Sequence, residues 1–203
     1  MASNVQPMLW REAMKAGARR SGAMIGATLL FVALLLVAVA LASFTPGDPS
    51  FNTAASDAAI GNRLGAGGAA VADLLLLVFG PAVALLLPLG LVFAIRMWRD
   101  VPVGEWRAML RDCLLGVVLM AAAFAFVSAD ANPTLPGGWG GVAGWSIAAL
   151  VRWAAGFIGH PVAELWTQRV AGTLVAIAGV VIWARGLTVE LPQPRLRLPQ
   201  ARL

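Results

Sequence analysis

The chain has 203 residues, of which 60% are hydrophobic and 12% are charged, and its formal net charge is +5. This composition excludes a disordered segment, which is poor in apolar residues, and an ordinary soluble domain, whose helices keep a polar face. The basic residues flank apolar stretches, so the net charge does not indicate a nucleic-acid-binding surface. Cys113 is the only cysteine, which excludes an intrachain disulfide.

Four long apolar stretches follow one another along the chain. They predict membrane-spanning helices at about 22–44, 72–95, 110–129 and 165–184. The last is the weakest, because its uncharged part, 170–184, would be only about 22 Å long as a helix against a hydrocarbon core of about 30 Å. It reaches the required length only when it is extended through Leu165, with Arg169 near its outer end.

The basic residues alternate between the two ends of these spans. Twelve of the 15 lie before the first span, around the connection of the second and third spans, and after the last span (Arg11, Lys15, Arg19, Arg20; Arg96, Arg99, Arg107, Arg111; Arg185, Arg195, Arg197, Arg202). Segments that retain Arg and Lys stay in the cytoplasm, so both termini are predicted to be cytoplasmic. The same clusters suit the anionic headgroups of the inner leaflet.

Residues 145–158 have the pattern of an amphipathic helix, with Leu150 and Phe157 on one face and Ser146 and Arg152 on the other. We predict that this helix lies on the outer (periplasmic) surface, because it is too short to cross and would place Arg152 in the membrane. A fifth span is the alternative, and it would put the C-terminal arginines outside. The predicted fold is therefore an all-α membrane protein with four transmembrane helices, N-in and C-in, and an amphipathic outer helix before the last span.

These boundaries divide the chain into three parts. Residues 1–21 form a basic cytoplasmic N-terminus, residues 22–185 the four-span membrane domain, and residues 186–203 the start of a cytoplasmic linker. The linker is rich in Pro, Arg and Gln, and its prolines favour an extended chain.

Few residues of this chain can carry chemistry. Lys15 is the only lysine, so no phosphate-binding loop is present, and His160 is the only histidine, so no metal site is expected. Asp73 and Asp130 are predicted to lie at the membrane boundary, where they cap a helix or reach water; the alternative for Asp73 is an ion pair with Arg63 or Arg169. No ionisable residue is expected at the midplane, where a transporter would need one. No catalytic, cofactor-binding or metal-binding residue is assigned, and no enzymatic activity is expected of this segment.

Polar strings and glycines mark the loops. The candidate interaction and packing residues are Asp48, Pro49, Asn52, Asn62, Gly65, Gly68, Ala69, Asp73, Gly80, Gly137, Gly138 and Gly141. Small residues at helical spacing let backbones approach closely in a membrane. Packing within the chain is one explanation of such residues, and contact in a homo-oligomer is the other.

The strings Asp-Pro-Ser-Phe-Asn (48–52) and Asn-x-x-Gly-x-x-Gly-Ala-x-x-Ala-Asp (62–73) occur in this order around the second span. With them, residues 20–185 resemble the N-terminal four-span membrane domain of the FtsK/SpoIIIE family of bacterial DNA translocases. The resemblance implies a multi-pass protein of the inner membrane at the division septum, which anchors a motor and contacts division proteins.

In that family, ATP and DNA are bound through a motor domain that these 203 residues lack. The chain therefore looks like an N-terminal portion or a stand-alone paralogue. Two other functions stay open at this point: a non-catalytic subunit of another membrane assembly, and a small transporter subunit.

Overall fold

The computed structural model describes residues 6–51, 53, 59–101, 105–127 and 134–187. The helices are α1 (Gln6–Ala42), α2 (Gly65–Phe79), α3 (Leu86–Trp98), α4 (Trp106–Val127), α5 (Gly141–Gly156) and α6 (Pro161–Leu187), and a 3-10 helix, Gly80–Leu85, joins α2 to α3. The regular structure of the described residues is entirely helical, which confirms the all-α fold. Asn52, Asp130 and the predicted linker from residue 188 onward lie outside the described residues.

Four helical units in this part of the chain are long and apolar enough to cross a membrane, namely Trp10–Ala42, Gly65–Trp98, Trp106–Val127 and Pro161–Leu187. They confirm the four predicted spans. The last helix has 27 residues and is about 40 Å long, so it exceeds the hydrocarbon thickness that its uncharged part alone could not reach. The guanidinium of Arg169 lies 5.8 Å from the centre of the Trp166 ring, and its side chain is exposed.

A separate helix precedes the last span, as predicted. This helix, α5, has 16 residues and is about 24 Å long, which is too short to cross a core of about 30 Å. It begins at Gly141, before the predicted start at residue 145. Its length disfavours the alternative of a fifth span.

The last two spans pack directly against each other through glycines. A Cβ on Gly172 of α6 would lie 2.9 Å from Phe126 Cβ, and one on Gly186 would lie 2.6 Å from Cys113 Sγ. Higher residue numbers on α6 therefore meet lower numbers on α4, and the two helices are antiparallel. Such close approach gives the van der Waals contact that holds helices together in lipid.

The second span is interrupted near its centre. Gly80 has a φ of +59°, which favours glycine, and Pro81 has no N–H to continue an α-helical ladder. The chain passes through the 3-10 helix before α3 resumes, and Trp183 Nε1 of α6 donates a hydrogen bond to the Leu85 carbonyl at 2.9 Å. The buried cluster of Ala82, Val117 and Ala121 packs beside this interruption.

Candidate functional site

The loop between α1 and α2 is built around a buried carboxylate. Asp48 is 5% exposed. Its Oδ1 accepts a hydrogen bond from the Gly61 N–H at 2.7 Å, and its Oδ2 accepts one from the Asn62 N–H at 2.8 Å. One side chain therefore ties the backbone of Gly61 and Asn62 to the residues that follow α1, because each carboxylate oxygen has a backbone donor.

Asn62 connects this loop to both helices. Its Nδ2 donates to the carbonyl of Ala40, in the last turn of α1, at 2.9 Å, and its Oδ1 accepts from the Leu64 N–H at 3.0 Å. Carbonyls in the last turn of a helix lack a partner within the helix, so the Asn62 amide satisfies one of them. We call Asp48 and Asn62, with the backbone groups that they bind, the α1–α2 clasp.

Five other predicted residues lie in the same loop or in the first part of α2. A Cβ on Gly68 would overlap Asn62 Oδ1 and Leu64 Cβ, whereas Gly65, with a φ of +67°, has open space around it. Ala69 and Asp73 are buried, and Pro49 is half-buried. Seven of the predicted residues therefore lie in the clasp, in its loop or in the first part of α2, which begins directly after the clasp.

Asp73 differs from the sequence expectation. It was expected at the membrane boundary, in contact with water or as a cap, but it is 2% exposed. The reason is that α2 begins at Gly65, so Asp73 lies two turns inside the helix. It shares a face with Ala69, Ala72 and Leu76, which are also buried.

The remaining predicted glycines meet at the interruption of the second span. A Cβ on Gly141 would lie 2.5 Å from the Gly80 nitrogen, a Cβ on Gly80 would lie 2.9 Å from the Trp139 carbonyl carbon, and one on Gly137 would overlap the Leu77 carbonyl oxygen. We call this contact of Gly80, Gly137 and Gly141 the glycine junction. Gly138, with a φ of +65°, lies in the same turn and has open space around it.

Arg152 is a structural residue that sequence reasoning misplaced. Its face of α5 was interpreted as the polar one, but its Nη2 donates to the Ala125 carbonyl of α4 at 2.7 Å. Its guanidinium also lies 5.6 Å from the Trp145 ring centre and 5.9 Å from that of Phe126. The spacing of Gly141, Gly144, Ala148 and Ala155, all buried, is the signal that identifies this face as the packing face.

A groove at the start of α4 combines two arginines with an apolar row. It is an open groove of about 400 Å³, and it is lined by Trp106, Arg107, Leu110, Arg111, Leu114, Leu115 and Val118. Arg107 lies 5.3 Å from the Trp106 ring centre, and Arg111 forms an ion pair with Asp112 at 2.8 Å. Cationic groups above an apolar surface match the headgroup and chains of an anionic phospholipid.

No group of three or more His, Cys, Asp or Glu side chains that could hold a metal occurs among the residues that the structure describes. The geometry is instead that of a helical membrane domain with a hydrogen-bonded clasp between α1 and α2 and closely packed glycines. Such an arrangement holds membrane helices together and exposes loop surfaces to other molecules. The chain is therefore of the class of multi-pass helical membrane domains.

Comparison with known proteins identifies the family. Residues 19–187 match the 4TM region of DNA translocase FtsK/SpoIIIE, and this chain belongs to that family. It is similar to the DNA translocase FtsK of Rhizobium meliloti (strain 1021), with 33% identity over 191 residues, which is 90% of this chain. The chain spans 21% of the length of that relative. No solved structure matches it.

The glycine junction and the α1–α2 clasp both lie within the matched residues. The match extends over the membrane region of the translocase, so the chain is a multi-pass membrane protein in contact with the lipid bilayer. The similarity is to this membrane region and does not extend over a motor.

We expect replacement of Asn62 by alanine to destabilise the domain by about 2 kcal/mol. The change removes two hydrogen bonds, one to the Ala40 carbonyl and one from the Leu64 N–H. The Ala40 carbonyl, which is buried, then loses the donor that Asn62 provides. Thermal unfolding in detergent micelles, followed by tryptophan fluorescence, measures the effect. Arg63→Ala is the matched control, because the Arg63 side chain is exposed and its backbone N–H keeps its bond to Ser43 Oγ. Equal melting temperatures for the two variants would contradict the clasp.

Proposed function

We propose that this chain is the membrane anchor of a septal DNA translocase and that its loops contact division proteins. The observation that carries the proposal is the match of residues 19–187 to the family, over the same residues that form the four apolar helices. An anchor requires spans that stay packed against one another, and the clasp and the closely packed glycines hold them together. Catalysis would belong to a motor attached to such an anchor.

The charge distribution supports an orientation with both ends of the domain in the cytoplasm. Twelve of the 15 basic residues lie on the side of the N-terminus, the α3–α4 connection and the end of α6. A motor joined after α6 would then act on the side of the membrane where the chromosome lies. In the same orientation, the groove at Arg107 and Arg111 faces the anionic lipids of the inner leaflet.

The start of the loop between α1 and α2, next to the clasp, is the surface that we assign to a division protein. Asp48 is buried and hydrogen-bonded to the backbone, while the Phe51 side chain, three residues later, is 80% exposed. An aromatic side chain on an ordered turn is a typical centre of a protein interface, because it buries a large apolar area at little cost in side-chain entropy. We therefore propose Phe51 as the contact residue of this loop, with Asp48 and Asn62 positioning it.

A fluorescent fusion of the chain tests the proposal in dividing bacteria. We expect the fusion to collect at mid-cell during constriction. Phe51→Ser is expected to spread it around the envelope while it stays in the membrane. The matched control is Ile60→Ser, which also removes an exposed apolar side chain from the same loop and should not change the distribution.

The outcomes separate two parts of this proposal. A uniform distribution of the intact unmodified fusion in dividing cells would overturn the septal role. Mid-cell recruitment of both the unmodified and the Phe51→Ser fusions would retain the septal role and overturn the assignment of Phe51.

The transporter alternative receives no support from the ionisable residues. It requires Asp73, Arg152, His160 and Arg169 to gather in one cavity. His160 and Arg169 have exposed side chains, and Arg152 is directed at the Ala125 carbonyl of α4. These groups serve surface and packing roles in the described part of the chain.

A further inference from the structure

We propose that residues 134–156 form a re-entrant hairpin. In this arrangement the turn 134–140 descends into the membrane, α5 returns toward the surface, and the exposed apolar face of α5 contacts lipid acyl chains. The inference concerns how deep the helix before the last span lies, and it does not depend on the septal role.

The first argument is the depth of the turn. The glycine junction places Gly137 and Gly141 against Leu77, Val78 and Gly80. Gly80 lies eight residues, or about 12 Å, inside the predicted boundary of the second span at residue 72. It is also close to the middle of the helical unit Gly65–Trp98. The turn therefore lies well below the membrane surface.

The second argument comes from α4 and gives a similar depth. A Cβ on Gly140 would lie 2.5 Å from Ala125 Cβ, and one on Gly144 would overlap the Ala121 carbonyl. Ala121 lies six residues before the end of α4 at Val127, or about 9 Å below it. The Arg152 side chain reaches the Ala125 carbonyl, which is one helical turn nearer that end than the contact of Gly144 with Ala121. From Gly144 to Arg152 the helix is therefore directed toward the surface.

The third argument is the backbone that the turn covers. Pro81 has no N–H, so the Leu77 carbonyl cannot form its usual bond within the helix. Non-helical backbone is tolerated at membrane depth only where protein buries it. Gly137 packs directly on the Leu77 carbonyl oxygen, and Gly140 and Gly141 are themselves buried. The turn thus shields the interruption of the second span from lipid.

The fourth argument identifies acyl chains as the occupant of the outward face of α5. Gly144 and the Arg152 guanidinium contact α4, and Gly141, Ala148 and Ala155 are buried. The large apolar residues are exposed, namely Val142, Trp145, Leu150, Trp153 and Phe157. A helix at a water surface would have the opposite arrangement. Because the helix begins at mid-span depth, the medium beside this face is hydrocarbon.

Site-directed spin labelling in lipid vesicles tests the proposal. Single cysteines replace Val142, Leu150 and Phe157 in a Cys113→Ala background, and each label is exposed to oxygen, which concentrates in hydrocarbon, and to a water-soluble nickel chelate. We expect high oxygen access at all three positions. The nickel access should be lowest at 142 and highest at 157. Leu35 on the exposed face of α1 and Ile60 in the loop serve as the lipid and water references.

Three results would overturn the proposal. Equal, shallow depth at the three positions would mean that the helix lies flat in the interface. Nickel access like that of position 60 at all three would place it above the membrane. Low access to both reagents would mean that a second copy or another protein covers this face. The three labelled side chains are exposed, so unchanged melting temperatures of the labelled proteins are expected and verify the fold.

Discussion

Replacing Gly68 by leucine is expected to destabilise the domain by about 3 kcal/mol. Gly68 is buried on α2, and a side chain there would overlap Asn62 Oδ1 and Leu64 Cβ. The added volume must displace the Asn62 amide from the Ala40 carbonyl. The destabilisation therefore has two causes, overpacking and the loss of a buried hydrogen bond. Unfolding by sodium dodecyl sulphate in mixed micelles, followed by tryptophan fluorescence, measures the change.

Gly67→Leu is the matched control for this substitution. Gly67 is the neighbouring residue on the same helix, but it is exposed and has no atom within 4 Å of an added Cβ. Leucine has the higher helix propensity, so the control is expected to be neutral or slightly stabilising. An equal loss of stability in both variants would mean that added hydrophobic surface or altered helix insertion causes the loss. It would contradict the packing argument for Gly68.

Replacing Gly144 by leucine is expected to separate α5 from α4. A Cβ at this position would overlap the Ala121 carbonyl and lie 2.7 Å from the Ala122 nitrogen. These are backbone atoms, which cannot move aside as a flexible side chain can, so the helices must part and the Arg152 bond to Ala125 must lengthen. We expect a loss of about 3 kcal/mol or more and faster proteolysis at the connection between α4 and α5.

The control for this prediction is Gly156→Leu, at the other end of the same helix. Gly156 is exposed, and an added Cβ would have no neighbour within 4 Å. It should leave the melting temperature and the proteolysis rate of the connection unchanged. An unchanged rate in Gly144→Leu as well would show that α5 is not held by its contact with α4.

The number and kind of elements could be predicted from the sequence, because they depend on local composition. Hydropathy over about 20 residues determines whether a segment is stable in lipid, and all four predicted spans correspond to apolar helices. The amphipathic period of residues 145–158 and the short polar strings are also local. The amphipathic period predicts the separate helix before the last span. The polar strings predict membership of the family, which the match over residues 19–187 confirms.

The tertiary structure decided which of these residues act together. Asp48 and Asn62 are 14 positions apart, and Gly80 and Gly141 are further apart still, so no periodicity relates either pair. The hydropathy of residues 72–95 predicts one continuous span. It carries no information on the missing N–H of Pro81 or the positive φ of Gly80, which interrupt the helix. The amphipathic period of α5 assigns Arg152 to a polar face, whereas the small residues identify that face as the one that meets α4. In water the large apolar face of a helix packs against the protein. In α5 the small residues and Arg152 pack against the protein instead. Close helix contact stabilises the small residues there, and the Ala125 carbonyl accepts a hydrogen bond from Arg152.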